Sequence, residues 1–267
     1  MQDKISSTSN QKIKEILQLQ QKSQERRKRN LMVVEGAREI RLAITSGCKP
    51  VSVFYCAELF TEKEDVSALL SAFHADTQYG VSPNVFSTLA YRDSSDGLIA
   101  LMVPVVYSLS GLEKKKNPLV IVLEAVEKPG NLGAILRTAD AAQVDAVIVC
   151  DPRADFYNPN TIRSSIGCVF TVPVVSCESA EAIKWLKKNK IRIFTAALNA
   201  QHFYHECDLS GPAALVMGTE ATGLTKQWLE ASDENIMIPM RGKIDSLNVS
   251  VSAAILVFET MRQRGFR

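Results

Sequence analysis

The sequence predicts an α/β protein with two domains, the second of which contains a mainly parallel sheet. After residue 118, short apolar runs alternate with helical segments, the pattern of strands joined by crossover helices. The first of these runs begins at Leu119 and is continuously apolar, as expected of a strand buried on both faces. The polar stretch Ser110–Pro118, bounded by glycine and proline, predicts a linker between the domains.

Length and composition are those of an ordinary globular protein. The chain has 267 residues, of which 46% are hydrophobic and 22% charged, enough for one large or two medium domains. No apolar run approaches the roughly 20 residues that span a bilayer, and the N-terminus lacks the apolar segment of a signal peptide. We therefore expect a cytoplasmic protein with no membrane partner.

The cysteines and histidines do not predict a metal site. None of the six cysteines forms a Cys-x-x-Cys pair, and several lie in apolar, strand-like runs where a reduced cysteine acts as a small hydrophobe. His202 and His205 are followed by Cys207, but this short cluster lacks a second half of ligands and is better interpreted as a surface turn.

Residues 1–30 form a basic, helical N-terminal extension that carries eight Lys or Arg against three Asp or Glu, although the whole chain has a net charge of only +2. The block Arg26-Arg27-Lys28-Arg29 is either a solvated helix face or a patch that binds phosphates. Residues 31–108 then form a smaller α/β domain, and residues 109–118 the linker. The strands predicted in this domain are 31–36, 51–56 and 98–106, and the helices are 37–45, 66–73 and 81–89.

Residues 119–267 form the larger domain. Its predicted strands are 119–124, 145–150, 171–175, 191–196, 213–217 and 236–239. Its predicted helices are 131–143, 159–168, 180–189, 225–231 and a long final helix that starts at residue 249. Ligands of parallel sheets bind beyond the carboxyl ends of the strands. The loops after Glu124, Ala196, Met217 and Met240 are therefore expected to converge.

The loop after Glu124 contains two candidate functional residues. Asn131 is a suitable N-cap for the helix that follows. Arg137 lies four residues after Gly133 on the same helix face, so its guanidinium should reach over the glycine towards the loop. A guanidinium at a strand-end crevice suits a phosphate or a developing oxyanion, although an interhelix salt bridge is an equally good interpretation.

The loop after Met217 places Glu220 between Gly218 and Gly223. Two glycines around one carboxylate let the backbone approach a flat ligand closely. The loop does not match Gly-x-Gly-x-x-Gly, and no Gly-Lys-Ser/Thr follows, so neither a dinucleotide fold nor a phosphate-binding P-loop is predicted.

The last segment joins a short strand to the final helix. Asn248, or alternatively Ser246, is a suitable N-cap for that helix. The helix is apolar on all sides as far as Glu259, and small side chains on one face allow another backbone to approach. Such a helix lies inside a large core or is covered in part by a second subunit.

Taken together, these stretches resemble the SpoU/TrmH-type RNA ribose 2′-O-methyltransferases of the SPOUT class. The resemblance is carried by Asn131-x-Gly-x-x-x-Arg137, by Leu215–Leu224 and by Ile238–Ser252, in the family's order and spacing. The segment Arg163-Ser-Ser-Ile-Gly167 also looks like a family element. The domain 31–108 resembles the ribosomal-protein-like RNA-binding domain that is often fused to this catalytic domain.

The resemblance implies a trefoil knot at the C-terminus, a homodimer with its active site at the subunit interface, and S-adenosylmethionine as the methyl donor. The donor-binding positions that it implies are Thr195, Ala196, Ala197, Gly218, Ile238 and Leu247. The catalytic or substrate-placing positions are Asn131, Arg137, Glu220, Ser246 and Asn248. The expected RNA contacts are Arg26, Arg27, Lys28, Arg29, Arg38 and Arg163.

The chemistry allows a hypothesis for the roles of these residues. The methyl group of a sulfonium is already activated, so the enzyme must align the acceptor oxygen and draw off its proton. Arg137 of the partner subunit would bind an RNA phosphate and the 2′-oxygen, while Glu220 or a substrate phosphate takes the proton. The expected substrate is structured RNA, ribosomal RNA before tRNA. The alternatives are a tRNA methyltransferase and a non-catalytic RNA-binding protein that retains the donor pocket.

Overall fold

The computed structural model describes residues 4–60, 63–91, 96–113, 115–151, 155–219 and 222–266, with the backbone alone at 63–65. The described residues form two compact units. The first unit contains the chain up to Val105 together with Asp155–Thr171, and the second contains the rest. The sequence placed residues 155–171 in the second domain and treated residues 1–30 as an extension. Contacts group residues 155–171 and the described residues 4–30 with the first unit, and the predicted domain bounds stay a prediction.

The helices and strands are numbered along the chain. The strands are β1 (Met32–Glu35), β2 (Lys49–Tyr55), β3 (Gln78–Gly80), β4 (Leu98–Val103), β5 (Leu119–Glu124), β6 (Ala146–Cys150), β7 (Val174–Cys177), β8 (Arg192–Ala196), β9 (His202–Phe203), β10 (Ala213–Met217) and β11 (Glu234–Met237). The helices are α1 (Gln11–Gln21), α2 (Ser23–Arg29), α3 (Ala37–Thr45), α4 (Lys63–Leu70), α5 (Pro83–Leu89), α6 (Pro129–Ala141), α7 (Pro159–Ser164), α8 (Cys168–Thr171), α9 (Ser179–Lys188), α10 (Lys226–Ala231) and α11 (Val249–Gln263).

Most predicted elements are present, and the clearest difference is at 159–168. The sequence predicts one helix there, whereas the structure has two, α7 and α8. Ile166 and Gly167 between them have left-handed backbone angles, with φ of +50° and +86°. An α-helix cannot continue through two left-handed residues, so the chain turns at this point. Glycine is favoured at 167 by this left-handed φ, and a Cβ there would also displace the side chain of Leu42, whose Cδ1 would lie 2.8 Å away.

The core of the first unit includes the N-terminal helix. Ile13, Ile16 and Leu19 recur at helical spacing along α1, are fully buried, and pack with Phe54 and Phe86. The strand order in this unit is β1-β4-β2-β3, and β4 is antiparallel to both of its neighbours. The segment before residue 30 is therefore part of the folded unit.

The sheet of the second unit has the order β7-β6-β5-β10-β8-β11-β9. Every pairing in it is parallel, which confirms the predicted α/β class with a mainly parallel sheet. β5, β10, β8 and β11 are consecutive neighbours, so the turns after them lie at one edge. This is the convergence that the sequence predicts, except that β11 ends at Met237 and not at Pro239. The trefoil knot stays a prediction.

The final helix is anchored at its C-terminal end. α11 packs against α6 and β10. Just beyond its end, the half-buried guanidinium of Arg264 donates to the carbonyl oxygens of Asn117 at 3.0 Å, Pro118 at 3.2 Å and Gly211 at 2.5 Å. These bonds anchor the helix at the amino end of the sheet, which leaves its N-terminus at the carboxyl edge. Within the described residues, none of the helices has the length and apolar character needed to cross a membrane.

Candidate active site

The carboxyl end of β5 is joined to α10 by a buried carboxylate. Glu124 is 4% exposed and accepts hydrogen bonds from the backbone N–H of Thr225 at 2.8 Å and from its hydroxyl at 2.7 Å. These bonds also hold the far end of the 218–224 loop. The sequence marks Glu124 as a charged residue that ends an apolar strand. Its partner, 101 residues away, could not be inferred from the sequence.

The 218–224 loop is closed on itself by backbone contacts. Thr219 and Gly223 exchange N–H···O bonds of 3.2 and 3.0 Å, and Gly223 has a φ of +68°. A Cβ on Gly218 would lie 2.2 Å from the carbonyl oxygen of Gly223, so only glycine fits at position 218. The glycine is thus required by the loop itself. The predicted catalytic residue Glu220 lies outside the described residues.

Asn131 and Asn248 are brought together across α6 and α11. Asn248 Nδ2 donates to Asn131 Oδ1 at 3.1 Å. Asn248 Oδ1 accepts from the backbone N–H of Ser250 at 3.0 Å, which confirms Asn248 as the N-cap of α11. The predicted capping role of Asn131 is wrong, because α6 begins two residues earlier, at Pro129, and its cap position is Lys128. Asn131 therefore lies inside the first helical turn.

Arg137 is exposed on α6, six residues after Asn131. Within the described part of the chain its guanidinium has no hydrogen-bond or ion-pair partner. The interhelix salt bridge that the sequence left open is therefore not formed among those residues. At about 100° per residue, the two side chains point roughly 120° apart around the helix axis. Arg137 and the Asn131–Asn248 pair thus face different directions within one chain.

The predicted donor-binding residues lie at the carboxyl ends of three neighbouring strands. Thr195 and Ala196 end β8 in register with Asn235 and Ile236 of β11, and the N–H of Ala197 donates to the carbonyl of Ile236 at 3.0 Å. Gly218 directly follows β10, and Ile238 directly follows β11. Leu247 is half-buried in the turn before α11, next to the exposed Ser246.

Within this group Thr195 differs from the others. Its side chain is fully buried, and its hydroxyl donates to Asn235 Oδ1 and lies 3.2 Å from Ser232 Oγ. This hydroxyl therefore joins β8 to β11 and is not open at the edge of the sheet.

Two buried thiols of the second unit are held protonated: Cys150 at the carboxyl end of β6, and Cys207, which lies beside Glu234 at the amino end of β11. Burial raises the pKa of Cys207 to about 12. A hydrogen bond with Cys177, followed by burial, raises the pKa of Cys150 at the end of β6. A thiol with a raised pKa is a poor proton acceptor at neutral pH, so neither group suits the role of base. His202 and His205 are exposed, and the described residues contain no cluster of three or more His, Cys, Asp or Glu that could hold a metal.

The predicted RNA-binding residues lie in the first unit and fall into two groups. The exposed ones are Arg27, Lys28, Arg29, Arg38 and Arg163. Among them, Arg29 forms an ion pair with Glu15, and Arg163 lies over the ring of Tyr91, 5.6 Å from its centroid. Arg26 forms the second group, because it is only 3% exposed and its guanidinium donates to Asp155 Oδ2 at 2.7 Å and to the carbonyls of Leu19 and Gln20. These bonds use Nε and Nη1 and hold the side chain inside the first unit, so the predicted contact of Arg26 with RNA stays a prediction.

Comparisons with known proteins agree with this arrangement. Residues 118–258 match the model of the SpoU rRNA Methylase family, and residues 10–100 match the MRM3-like substrate binding domain. The chain is 33% identical to the 23S rRNA (guanosine(2553)-2'-O)-methyltransferase RlmP of Bacillus subtilis over 95% of its own length and 97% of that protein.

Solved structures show the same likeness. A crystal structure of an RNA 2'-O ribose methyltransferase has a TM-score of 0.86 and 36% identity, over 98% of this chain and 99% of that one. The AdoMet-bound rRNA methyltransferase from Sinorhizobium meliloti has a TM-score of 0.88 and 26% identity, over 97% of each chain.

A parallel sheet whose carboxyl edge carries these motifs defines an RNA methyltransferase of the SPOUT class. The chain belongs to the SpoU rRNA Methylase family. This membership confirms the enzyme class that the three sequence motifs predict.

Proposed function

We propose that this protein transfers the methyl group of S-adenosylmethionine to the 2′-hydroxyl of one ribose in ribosomal RNA. The observation that carries the proposal is the Asn131–Asn248 contact beside the carboxyl ends of β5, β10, β8 and β11. It places two neutral amides, suited to a sugar hydroxyl, at the edge where parallel sheets bind ligands. The full-length relative from Bacillus subtilis is named as a 23S rRNA 2'-O-methyltransferase, which supports the substrate.

The donor would be held by the ends of β8, β10 and β11. Backbone groups after Thr195, Gly218 and Ile238 face a common edge, and the backbone bonds between Thr219 and Gly223 fix the two ends of the turn there. The donor supplies an activated methyl group on sulfur. The AdoMet-bound structure from Sinorhizobium meliloti supports S-adenosylmethionine as this donor. The protein has to fix the direction of approach, which is a positioning task.

The acceptor ribose would be oriented by Asn131 and Asn248, with Ser246 at the same turn. Arg137 stabilises the negative charge that develops on the 2′-oxygen, because a guanidinium stays protonated. Either Glu220 or a phosphate of the substrate accepts the proton. These two groups are proposed because the buried Cys150 and Cys207 stay thiols.

We propose that Arg137 acts in the site of a second subunit of a homodimer. Arg137 points away from Asn131 within its own chain, so an Arg137 from another copy completes the site. The exposed side of α11 offers a surface for that copy. Val251 is 46% exposed and Phe258 is 42% exposed, and residues seven apart lie on the same helix face. An exposed apolar stripe beside a functional site is typical of an interface.

The first unit would capture the RNA. It matches a substrate-binding domain, and the exposed cations of α2 and α3, including Arg27, Lys28 and Arg38, provide phosphate contacts. We therefore retain 31–108 as the core of the substrate-binding domain and 119–267 as the methyltransferase domain. A ribosomal RNA substrate also supports a cytoplasmic location.

The experiment measures transfer of a labelled methyl group from S-adenosylmethionine to rRNA, alongside donor binding by calorimetry. Arg137→Ala is expected to lose transfer while it binds the donor like the wild type. The exposed Lys188→Ala, on α9, is the matched control and should retain both activities. Full transfer by Arg137→Ala would remove its assigned role. Donor binding without transfer to rRNA by the wild type would overturn the proposed function, and transfer to tRNA alone would reassign the substrate.

A further inference from the structure

An open groove of about 410 Å³ lies in the first unit, and none of the residues assigned to methyl transfer lines it. It is bordered by the end of α1, the turn after α5 and the start of α7. We call it the Tyr91 groove. The polar and aromatic side chains that line it are those of Gln20, Gln21, Thr88, Tyr91, Asn158 and Asn160.

Tyr91 provides an aromatic surface in this groove. It is 46% exposed, and its backbone N–H donates to Glu35 Oε2 at 2.8 Å, which fixes the residue at the end of β1. The guanidinium of Arg163 lies over its ring. An exposed aromatic ring beside an arginine is the pair on which unpaired nucleobases stack in RNA-binding proteins.

The amides around Tyr91 have unused hydrogen-bonding groups. Gln20 Nε2 donates to the carbonyl of Leu89 at 2.7 Å, and Asn158 Oδ1 accepts from the N–H of Asn160 at 2.8 Å. Among the described residues, these bonds leave the Gln20 acceptor, the Asn158 donor and the whole side-chain amide of Asn160 without partners. Neutral donors and acceptors of this kind match the edge of a nucleobase better than they match a phosphate.

A buried ion pair holds two walls of the groove together. Arg26 donates to the carbonyl of Gln20 at 2.9 Å and to Asp155 Oδ2 at 2.7 Å, and Asp155 Oδ1 accepts from the N–H of Tyr157 at 3.0 Å. Arg26 thus joins the end of α1 to the segment that leads into α7. A groove fixed in this way loses little conformational freedom when a ligand binds.

We propose that the Tyr91 groove binds one unpaired nucleotide of the RNA substrate, with the base stacked on Tyr91 and its edge on Gln20, Asn158 and Asn160. The backbone phosphates would run towards the exposed cations of α2, which begins two residues after Gln21. Lys22, Arg27, Lys28 and Arg29 are exposed there, and Arg29 is paired with Glu15. This inference rests on the proposed function. It adds a second place where the RNA substrate is bound, besides the site of the reacting ribose.

The test is direct binding of a fluorescein-labelled single-stranded RNA of mixed sequence by the full chain, without any methyl donor. Tyr91→Ala is expected to raise Kd about tenfold, since a stacked base contributes roughly 1–3 kcal/mol. Tyr91→Phe keeps the ring and is expected to bind like the wild type. Asn160→Ala should raise Kd about threefold through the loss of one hydrogen bond. Thermal unfolding of each variant reports whether the fold is intact.

Photo-cross-linking to the same RNA provides a second readout that does not depend on substitution. Cross-links are expected on peptides that contain Tyr91 or Asn158–Asn160, and duplex RNA of equal length should bind more weakly. Unchanged affinity in a folded Tyr91→Ala, equal binding of duplex RNA, or cross-links confined to other peptides would overturn the inference. Poly-glutamate binding that depends on Tyr91, in place of RNA binding, would overturn it in favour of an acidic protein partner.

Both RNA-binding measurements are independent of methyl transfer. RNA binding that depends on Tyr91, together with absent methyl transfer by the wild type, would refute the proposed function and leave the groove as an RNA site. Methyl transfer by the wild type, together with an unchanged RNA Kd for the Tyr91→Ala variant, would refute the proposed role of the groove and leave the proposed function intact.

Discussion

At the carboxyl edge of the large sheet, the functional groups come from turns that follow adjacent strands, whereas the Tyr91 groove is assembled from three segments far apart in the sequence. The strand order alone brings Thr195, Gly218 and Ile238 together. In the groove, the bonds of Arg26 and Asp155 join Gln20 to the segment before Asn158, and the carboxylate of Glu35 holds the backbone of Tyr91. Loss of one side chain should therefore disturb a site that is positioned by backbone pairing only slightly. Loss of one partner of an ion pair should disturb a site that this ion pair positions much more.

The largest expected effect is on the groove. Arg26→Ala leaves the carboxylate of Asp155, which is 12% exposed, without its partner, and should lower the free energy of unfolding by about 3 kcal/mol. Denaturant unfolding measures this change. The exposed neighbour Arg27→Ala is the control and should change stability by less than about 0.5 kcal/mol. Equal stability of the two variants would show that the ion pair does not hold the groove.

The next effect is at the catalytic edge. Gly218→Ala places a methyl group 2.2 Å from the carbonyl oxygen of Gly223, so the 218–224 loop must move. Methyl transfer is expected to fall about a hundredfold, because displacement of a positioning loop by about 1 Å has that effect. Gly211→Ala is the control, since nothing lies within 4 Å of a Cβ there. Similar transfer rates for both variants would show that the loop does not shape the site.

A smaller effect is expected on assembly. Phe258→Asp puts a charge on the exposed face of α11 and should weaken the proposed dimer about thirtyfold, the effect of losing one central interface residue. Sedimentation over a concentration series measures it. Lys188→Ala, distant in sequence and exposed on α9, is expected to leave the dimer unchanged. A wild-type chain that stays monomeric at all concentrations would contradict the homodimer.

The smallest effect concerns the join between β5 and α10. Glu124→Gln keeps one acceptor for the two bonds from Thr225, so stability should fall by about 1 kcal/mol. Thr225→Val removes one of the donors, and the double variant should lose less than the two single losses added together. Additive losses in denaturant unfolding would mean that the two side chains do not interact.

The contrast between the two regions also explains what the sequence could predict. Strands such as Leu119–Glu124 and Ala213–Met217 were predicted with their observed bounds, because continuous apolar runs have few alternatives. Convergence of the strand-end turns follows from parallel topology, and the N-cap role of Asn248 follows from local chemistry. These predictions depend on patterns among residues that are close together in the sequence.

The remaining features depend on contacts between residues far apart in sequence. Arg26 lies in a basic block whose composition is typical of a solvated surface. Its ion-pair partner Asp155 follows 129 residues later. The break between α7 and α8 depends on left-handed Ile166, a conformation that an isoleucine does not signal. The capping role assigned to Asn131 was wrong because Pro129 already starts the helix. Such contacts and backbone angles have no periodic pattern in the sequence.

The central claim is a methyl-transfer site shared between two subunits, with Asn131 and Asn248 from one and Arg137 from the other. Labelled methyl transfer to rRNA by mixed dimers of Arg137→Ala and Asn248→Ala chains tests it most directly. Each variant alone should be inactive, and the purified mixed dimer should regain activity because one of its two sites contains only wild-type residues. An inactive mixed dimer, with both chains folded and dimeric, would contradict the shared site.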